Sequence, residues 1–573
     1  MSRCGMPSLL TRLAAGVAVL GLAICAGCTA QNTANLPPTN PGDNQPPTAQ
    51  LPTEPQPPTA PPATDNPRPP DDVVGTVGSD NMRPANMAGL TVQQVLAWNV
   101  DYTWLQNLAD QPWDAADEVS LVLNDVAGRE VLDAAPGIQV TQTPRAGTVV
   151  SIIEPGTYRI SGTLPDGDLR VDTPYDSQAV TRVILDNVHI TSHFGAALNI
   201  GHNTQNDVIV YLVEDSINYL SEDSTTPAVY NDQRATLYAN GNLAITGLGT
   251  LVVTANTEDA IVTTQGLLIR GDGTIQTKSP GDGICSKHIE LLGENAPKST
   301  NFIAITGGSL IIGAGSDGLC TEADDISGTG YIAIRDVQRD PYLHTTIDIT
   351  ASSDGIDAIN DFVIDGGQVT IRAAGEGIEA SNINISGGTI DITADEDALN
   401  ATTPQPAGYQ GNDWSRENQP GAALTVTGGK LHAVAGTDGF DSNGSIMVTG
   451  GTSILEAATG SGGEGGIDAN GSVNLTGGTM LIAGNWTTND VITTGQGWFT
   501  ATGSAGGTDV LISDQTGRQL GSFTLASPPD GLAFTSDAIT PGGTYLMTVG
   551  GAAWTSTPAA DILVRRGGGR GRR

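Results

Sequence analysis

A short acidic unit recurs through the middle of the chain at a nearly constant interval. It contains an acid, a small residue, a branched apolar residue and a second polar residue, as in DGID, EGIE and DALN between positions 354 and 400. The first acids of the units are Asp259, Asp282, Asp317, Asp354, Glu376, Asp397 and Asp438. The steps between them are 23, 35, 37, 22, 21 and 41 residues. Three steps equal one short repeat and three equal a repeat with an insertion, so the pattern predicts a solenoid.

Each repeat divides into three short strands. Residues 374–393 read AGEGIEASNINISGGTIDIT and contain the alternating pieces GIEA, NINIS and TIDIT. Alternation places one side of each strand inward. The residues expected to point inward are Ile378, Ala380, Ile383, Ile385, Ile390 and Ile392. Three strands per repeat of 21–23 residues predict an all-β fold, a right-handed parallel β-helix. Glycine pairs at 307–308, 366–367, 387–388, 428–429, 450–451 and 477–478 mark one recurring corner.

The charge of the chain limits its partners. Its 573 residues carry 25 Lys and Arg against 62 Asp and Glu, which gives a formal net charge of −37. This excess argues against nucleic acid and against an anionic membrane surface, and it favours cations. Five cysteines in the whole chain are too few for a disulfide-dense scaffold.

The first 84 residues are expected to serve export and tethering. Residues 1–28 form a signal peptide whose end, CAGC, resembles the bacterial lipoprotein cleavage box, with Cys28 as the lipidated residue. An ordinary secretory signal is the alternative. Residues 29–84 are rich in Pro and Thr and form a disordered tether. We expect an exported lipoprotein at the bacterial cell surface or outer membrane, bound to the membrane through its lipid alone.

The segments that flank the repeats are expected to cap them. Residues 85–150 form an N-terminal cap that includes one or two short helices, and its Trp98, Trp104 and Trp113 either pack or stack on sugars. The β-helix spans residues 151–495. Residues 496–563 form a C-terminal β cap over its open edge, and residues 564–573 form a basic flexible tail.

The acids of successive repeats are expected to form two columns that bind calcium. Equivalent residues of neighbouring coils lie about 4.8 Å apart, where two carboxylates repel by roughly 3 kcal/mol at an effective dielectric of 20. Calcium takes oxygens at about 2.3–2.6 Å, so one ion can bridge two coils. The predicted ligands are Asp354, Asp357, Glu376, Glu379, Asp397, Asn400, Asp438 and Asp441. The alternative is a row of solvated Asp-Gly turns, which explains the first acid of each unit but not the second.

Two cysteines occupy the second column in neighbouring units. Cys285 lies in DGICS and Cys320 in DGLCT. If these coils are neighbours, the two Cα atoms lie about 5 Å apart, within the range of a disulfide. A disulfide and a stacked pair of free thiols are the two alternatives.

The repeats carry a family resemblance. The units GDGICSKHIELLG, SDGIDAINDFVIDGGQVTI, GEGIEASNINISGGTIDIT and TDGFDSNGSIMVTGG resemble the bacterial carbohydrate-binding domain family of calcium-binding, polysaccharide-lyase-like β-helix proteins. The resemblance runs from about residue 119 to residue 549 and includes GTYRISGTL. It implies a right-handed β-helix, bound calcium, and binding of cellulose or acidic sugars.

These observations predict a calcium-dependent polysaccharide-binding protein for cellulose or acidic glycans such as polyuronates. Tyr409 and Trp414, on the insertion at 402–421, are the candidate sugar-binding residues because aromatic faces cover sugar C–H groups. One alternative is a calcium-dependent polysaccharide lyase, with Lys287 as the base that abstracts the proton. A second is a surface adhesin or structural solenoid without catalytic activity.

Overall fold

The computed structural model describes most of the chain after residue 88. The described residues are 89–174, 180–201, 207–223, 235–287, 301–322, 330–336, 344–373, 375–405, 418–457, 465–486, 491–503 and 506–564. Within them, strands make up 57% of the residues beside three α-helices. Thirty-six of the strands belong to one large and mostly parallel sheet. The all-β class predicted from the repeats is therefore confirmed.

Strands are numbered β1 to β40 along the chain, and most of them fall into three parallel ladders. The first ladder contains β1 (Glu118–Val122), β5 (Gly156–Leu164), β7 (Thr181–Ser192), β9 (Val208–Leu212), β12 (Leu243–Gly247), β15 (Gly266–Ile269), β18 (Phe302–Ile305), β21 (Tyr331–Ile334), β23 (Ile356–Ile364), β25 (Ile378–Ile385), β28 (Ala423–Val426), β31 (Ser445–Glu456), β32 (Val473–Ala483) and β33 (Val491–Thr502).

The second ladder uses the later halves of β5, β7, β31 and β32. Its other members are β10 (Ile217–Glu222), β13 (Thr250–Thr254), β16 (Thr274–Ser279), β19 (Ser309–Ala314), β22 (Thr346–Ala351), β24 (Gln368–Ala373), β26 (Thr389–Ala394) and β29 (Lys430–Ala435).

The third ladder uses the earlier halves of β23 and β25. Its other members are β4 (Gly147–Ile152), β6 (Gly167–Val171), β8 (Leu198–Ile200), β11 (Ala235–Ala239), β14 (Asp259–Thr263), β17 (Ile284–Lys287), β20 (Leu319–Glu322), β27 (Leu399–Ala401) and β30 (Phe440–Ser442). Along the chain the strands visit the first, second and third ladders in turn, so each repeat adds one strand to every ladder.

The interior is built from the alternating apolar residues of all three ladders. One continuous buried cluster runs from Leu121 to Ala533. The six residues of 374–393 that were predicted to point inward are each at most 1% exposed. Because strand alternation sends the other residues outward, the acidic and hydroxyl side chains between them lie on the outer face.

The glycine pairs turn the chain between the first and second ladders. The second glycine of each pair has a positive φ, as at Gly388 (85°) and Gly429 (82°), a conformation that a residue with a Cβ disfavours. The first glycine is needed because it lies close to the backbone of the preceding coil. A Cβ at Gly387, for example, would lie 2.1 Å from the carbonyl oxygen of Asp365. Each pair therefore meets two requirements at one corner.

Two helices cover part of the outer face of the first ladder. α1 (Val92–Trp98) and α2 (Val100–Asp110) lie in the region where helices were predicted. A short 3-10 helix (Ala115–Asp117) and α3 (Leu123–Val126) follow. The buried contacts of the two long helices with the ladder include Val95, Leu105, Leu268, Phe302 and Tyr331. No helix among the described residues is long and apolar enough to cross a membrane.

Two of the three tryptophans make packing contacts. The indole of Trp104 donates to Asp207 Oδ2 at 2.7 Å. The indole of Trp113 donates to Glu118 Oε1 at 2.9 Å, and the Arg182 guanidinium lies 4.5 Å from its ring centroid. These contacts favour the packing interpretation over the sugar-stacking one at both positions.

Antiparallel strands lie at both ends of the ladders. β2 (Val131–Ala135) and β3 (Ile138–Thr143) form a meander with β4. Near the other end, β36 (Gly531–Thr535) pairs with β32 and β33, and β39 (Thr555–Ser556) and β40 (Ala560–Val564) pair with β33. A separate four-stranded sheet contains β34 (Asp509–Asp514), β35 (Gln519–Thr524), β37 (Tyr545–Val549) and β38 (Ala552–Ala553).

Candidate functional site

The first acids of the units form a hydrogen-bonded column along the start of the third ladder. The backbone N–H of one acid donates to the carboxylate of the acid one repeat earlier. The pairs are Asp282 N to Asp259 Oδ1 (2.7 Å), Asp317 N to Asp282 Oδ1 (3.1 Å), Asp354 N to Asp317 Oδ1 (3.0 Å), Glu376 N to Asp354 Oδ1 (2.7 Å) and Asp438 N to Asp397 Oδ1 (2.7 Å). The first column is therefore a structural seam between coils, which the sequence alone did not reveal.

The glycine of each DGI unit lets the coils stack this closely. A Cβ at Gly355 would lie 2.6 Å from the carbonyl oxygen of Gly377, and one at Gly377 would lie 2.5 Å from that of Ala398. Since real Cβ atoms do not approach backbone oxygen to that distance, glycine is required at Gly355 and Gly377. Alanine takes the same place in two other units, where Ala260 N donates to Asp282 O and Ala398 N donates to Asp438 O, both at 3.0 Å.

The second polar residues form a parallel column in register along the same ladder. Its members, in order, are Cys285, Cys320, Asp357, Glu379, Asn400 and Asp441. The isolated bridge between Phe440 and Ile467 places Asp468 next in this column. The predicted registry of Asp357, Glu379, Asn400 and Asp441 is therefore present in the structure.

Two groups of three carboxylates come together where the columns run side by side. One contains Asp354, Glu376 and Glu379, and the other contains Asp438, Asp441 and Asp468. In each group the ligand oxygens lie within 4.8 Å of one another. Asp357, Asp397 and Asn400, which were also predicted as ligands, belong to neither group.

Asn400 nevertheless borders the first group. Its Nδ2 donates to Glu376 Oε1 at 3.2 Å. Its Oδ1 is buried and has no hydrogen-bond partner among the described residues. A buried acceptor without a donor is costly, so this oxygen is a candidate metal ligand.

Burial and mutual repulsion raise the pKa values of these carboxyls. Burial, followed by the charge of Asp357, raises the pKa of Glu379 to about 9. Burial, followed by the hydrogen bond and charge of Asp354, raises the pKa of Glu376 to about 7. The pKa of Asp357 also rises to about 7, first through burial and then through the charge of Asp317. The ionised forms of these three carboxyls are therefore disfavoured unless a positive charge lies close to them.

The opposite end of the columns carries its own cation. Lys287 Nζ lies 3.0 Å from Asp259 Oδ2, 2.6 Å from Asp282 Oδ2 and 3.2 Å from Glu322 Oε1. Burial lowers the pKa of Lys287, but the charges of Asp259 and Asp282 outweigh it and raise the value overall. A base that abstracts a proton must be neutral, so this geometry argues against Lys287 as the base of a lyase.

The structure joins Cys285 and Cys320 by a disulfide, with the Cα atoms 4.5 Å apart. Asp282 and Glu322 lie close to the two sulfurs. Because the sulfurs bond to each other, they are not available as thiolate ligands. The disulfide links β17 and β20 covalently at this end of the second column.

Several candidate residues need separate comment. Tyr409, Trp414 and Cys28 lie outside the described residues. Asp468 was missed because its unit reads GGID and lacks the first acid that defined the repeat. Its registry behind Asp441 was the signal that could have found it.

The ladders and the paired columns define an all-β repeat protein with a carboxylate-lined outer face. Residues 146–404 match the model of a family described as carbohydrate-binding domain-containing protein. A curated protein of that description from Acetivibrio thermocellus is 33% identical over 134 residues, which are 23% of this chain and 45% of the relative. The chain thus spans about half the length of the curated relative it matches.

One solved structure is also similar. It is the polysaccharide lyase-like protein from C. thermocellum, in a gadolinium derivative, with 24% sequence identity and a TM-score of 0.36. The match covers 47% of this chain and 96% of that one. The family-model match confirms the resemblance to carbohydrate-binding domain proteins over residues 146–404.

Proposed function

We propose that this protein is a calcium-dependent polysaccharide-binding protein, with cellulose or acidic glycans such as polyuronates as ligands. The family match over residues 146–404 supports carbohydrate binding. The observation that carries the calcium dependence is the group of Asp354, Glu376 and Glu379, whose ligand oxygens lie within 4.8 Å of one another.

The three ladders are the faces of a right-handed parallel β-helix in this proposal. The strand order supports it, because the chain passes through all three ladders before it returns to the first, always in parallel. Such a body presents long flat faces on which equivalent side chains repeat at the strand spacing, about 4.8 Å. A polymer with its own short repeat can contact several coils at once.

The oxygens of the first group suit calcium. Three carboxylates, with the unpartnered Asn400 Oδ1 beside them, are the hard oxygen ligands that calcium takes in sixes to eights. No ion pair among the described residues joins Asp354, Glu376 or Glu379 to a basic side chain. At the other end of the columns, by contrast, Lys287 forms ion pairs with Asp259 and Asp282. When bound, the ion would offer its remaining positions to a ligand oxygen.

An acidic glycan would bind such a site by coordinating the bound ion rather than by direct contact with the acidic side chains. A chain with a net charge of −37 repels a polyuronate at long range. Calcium bound by the group of Asp354, Glu376 and Glu379 reverses the local sign, so a uronate carboxylate can complete its coordination. Glycan retention should therefore depend on calcium.

A pull-down tests the proposal. Purified protein is mixed with polygalacturonate or cellulose in calcium or in EDTA, and retention is compared between wild type and Asp357→Asn/Glu379→Gln. We expect calcium-dependent retention on polygalacturonate that the double variant loses. The matched control is Glu130→Gln/Asp133→Asn, an exposed pair on and beside β2, which should bind like wild type. Retention on polygalacturonate that is equal in calcium and in EDTA would contradict calcium dependence. An ultraviolet assay for unsaturated product on the same samples tests for lyase activity.

We also propose that the protein is exported and anchored through a lipid on Cys28. The support is the CAGC sequence after an apolar stretch. Cys28→Ser should move the protein from the membrane fraction to the soluble fraction of the producing cell. A variant that stays wholly in the membrane fraction would contradict the lipid anchor.

A further inference from the structure

An aromatic pair lies exposed on the outer face of the second ladder, away from the acidic columns. Tyr219 on β10 is directly opposite His189 on β7, and their ring centroids are 5.4 Å apart at 45°. Tyr219 is 42% exposed and its neighbour Ile217 is 48% exposed. The next residue on each strand, Ile190 after His189 and Leu220 after Tyr219, is buried in the interior, so the two rings point away from it.

Hydroxyl groups form the next row on the same two strands. Ser221 is opposite Thr191, and their hydroxyl oxygens lie 3.0 Å apart. On the other side of β10, Val252 of β13 is opposite Tyr219. The surface therefore presents a row of rings beside a row of hydroxyls, and both are fixed by strand pairing rather than by loops.

The charge of this surface differs from that of the chain. The outward residues of β7, β10 and β13 in the second ladder are His189, Thr191, Ile217, Tyr219, Ser221, Thr250, Val252 and Thr254. None of them is a carboxylate, although the chain as a whole has a net charge of −37. Glu222 is buried and accepts hydrogen bonds from Asn256 N and Thr257 Oγ1. Among the described residues here, exposed acids lie only at the ends of the strands, where Asp215 precedes Ile217 by two residues and Asp223 pairs with His193. A neutral polymer therefore matches the face between them better than a polyanion.

We propose that the Tyr219–His189 surface is a second, calcium-independent subsite that binds a neutral polysaccharide chain. The two rings stack on the apolar C–H face of a pyranose, and Thr191 and Ser221 hydrogen-bond its hydroxyl groups. This inference rests on the proposed carbohydrate-binding function, and it assigns neutral and acidic glycans to different faces of one molecule.

A protein partner fits the surface less well. Stable protein interfaces bury about 800 Å² on each side around a fully apolar centre. Here the aromatic row is two residues wide and is followed at once by hydroxyls. Small amphipathic surfaces of this kind suit a narrow polymer whose rings are apolar on their faces and hydroxylated at their edges.

Calorimetric titration with cellohexaose in EDTA tests the subsite. We expect wild type to bind equally in EDTA and in calcium, and Tyr219→Ala to weaken binding at least tenfold. Tyr219→Phe retains the ring and should bind within about threefold of wild type. Ile311→Ala, which alters another exposed apolar residue of the second ladder (47% exposed), should bind like wild type. Melting curves of all variants show whether each is folded.

The outcomes separate this inference from the function on which it rests. If polygalacturonate binds in calcium but cellohexaose does not bind, the subsite is wrong and the proposed function stands. If neither glycan binds under any condition, the proposed function itself fails. Cellohexaose binding that survives Tyr219→Ala, that requires calcium, or that Tyr219→Phe abolishes would overturn the stacking role.

Discussion

Replacing Glu379 by Gln should remove the effect of calcium on stability without destabilising the calcium-free protein. The ligand oxygens of Asp354, Glu376 and Glu379 lie within 4.8 Å of one another. At that distance and an effective dielectric of about 20, each ionised pair repels by about 3 kcal/mol. Glu379 takes part in two of the three pairs, so its carboxylate is a source of strain until a proton or a cation offsets it.

The size of the calcium effect follows from linkage. An ion at a hundred times its dissociation constant adds about 2.7 kcal/mol when it binds only the folded state. For a folded region of several hundred residues, a change of 1 kcal/mol moves the melting temperature by about 1–2 °C. Calcium should therefore raise the melting temperature of wild type by about 3–5 °C over EDTA.

Differential scanning calorimetry of three proteins, each in calcium and in EDTA, provides the measurement. In Glu379→Gln the calcium shift should disappear, while the melting temperature in EDTA should be no lower than that of wild type. Glu130→Gln, the exposed control, should keep the full shift. The reasoning is refuted if Glu379→Gln keeps the calcium shift, because the ion is then held elsewhere. It is also refuted if Glu379→Gln melts lower in EDTA, because the carboxylate then stabilises the fold rather than straining it.

Three further predictions concern stability. Removing the 35-residue crosslink with Cys285→Ala/Cys320→Ala should cost about 3–4 kcal/mol in urea unfolding, and a midpoint equal to that of the oxidised wild type would contradict it. The hydrogen bond to Glu456 raises the pKa of His432. The stabilisation from the His432–Glu456 pair should therefore be complete below the ordinary histidine pKa. It should be lost as the pH rises through the raised pKa of His432 in the folded protein. The melting difference between wild type and His432→Gln should shrink from pH 6 to pH 9, and a constant difference would count against the ion pair. Gly388→Ala, at φ 85°, should cost about 1–2 kcal/mol, and an unchanged urea midpoint would show that the corner tolerates a Cβ.

The repeat predicted the registry of the second column because strand geometry leaves little freedom. A side-chain period of two and a shift of one coil per repeat fix which residue lies next to which. Asp357, Glu379 and Asn400 are neighbours in the structure for that reason. The glycine corners were equally predictable, because the demand for a positive φ is local.

The membership of the carboxylate groups could not be predicted in the same way. It depends on side-chain length and direction as well as on registry. Glu376 and Glu379 reach toward Asp354, whereas Asp357, three residues after Asp354 in the same unit, belongs to neither three-carboxylate group. The pairing of Lys287 with Asp259 across a coil has no signal in the spacing of the acids, since it depends on a flexible side chain that can turn toward either neighbour.

The two columns differ in the hydrogen bonds that their carboxylates accept. In the first column, carboxylates such as those of Asp282 and Asp317 accept backbone N–H groups of the next coil. Those hydrogen bonds are made within the protein and do not depend on a metal. In the second column, Glu379 accepts no backbone donor among the described hydrogen bonds, and burial, followed by the charge of Asp357, raises its pKa to about 9. Replacing Asp317 should therefore weaken the stacking of coils, and replacing Asp354 should weaken both stacking and calcium binding, whereas replacing Glu379 should weaken calcium binding alone.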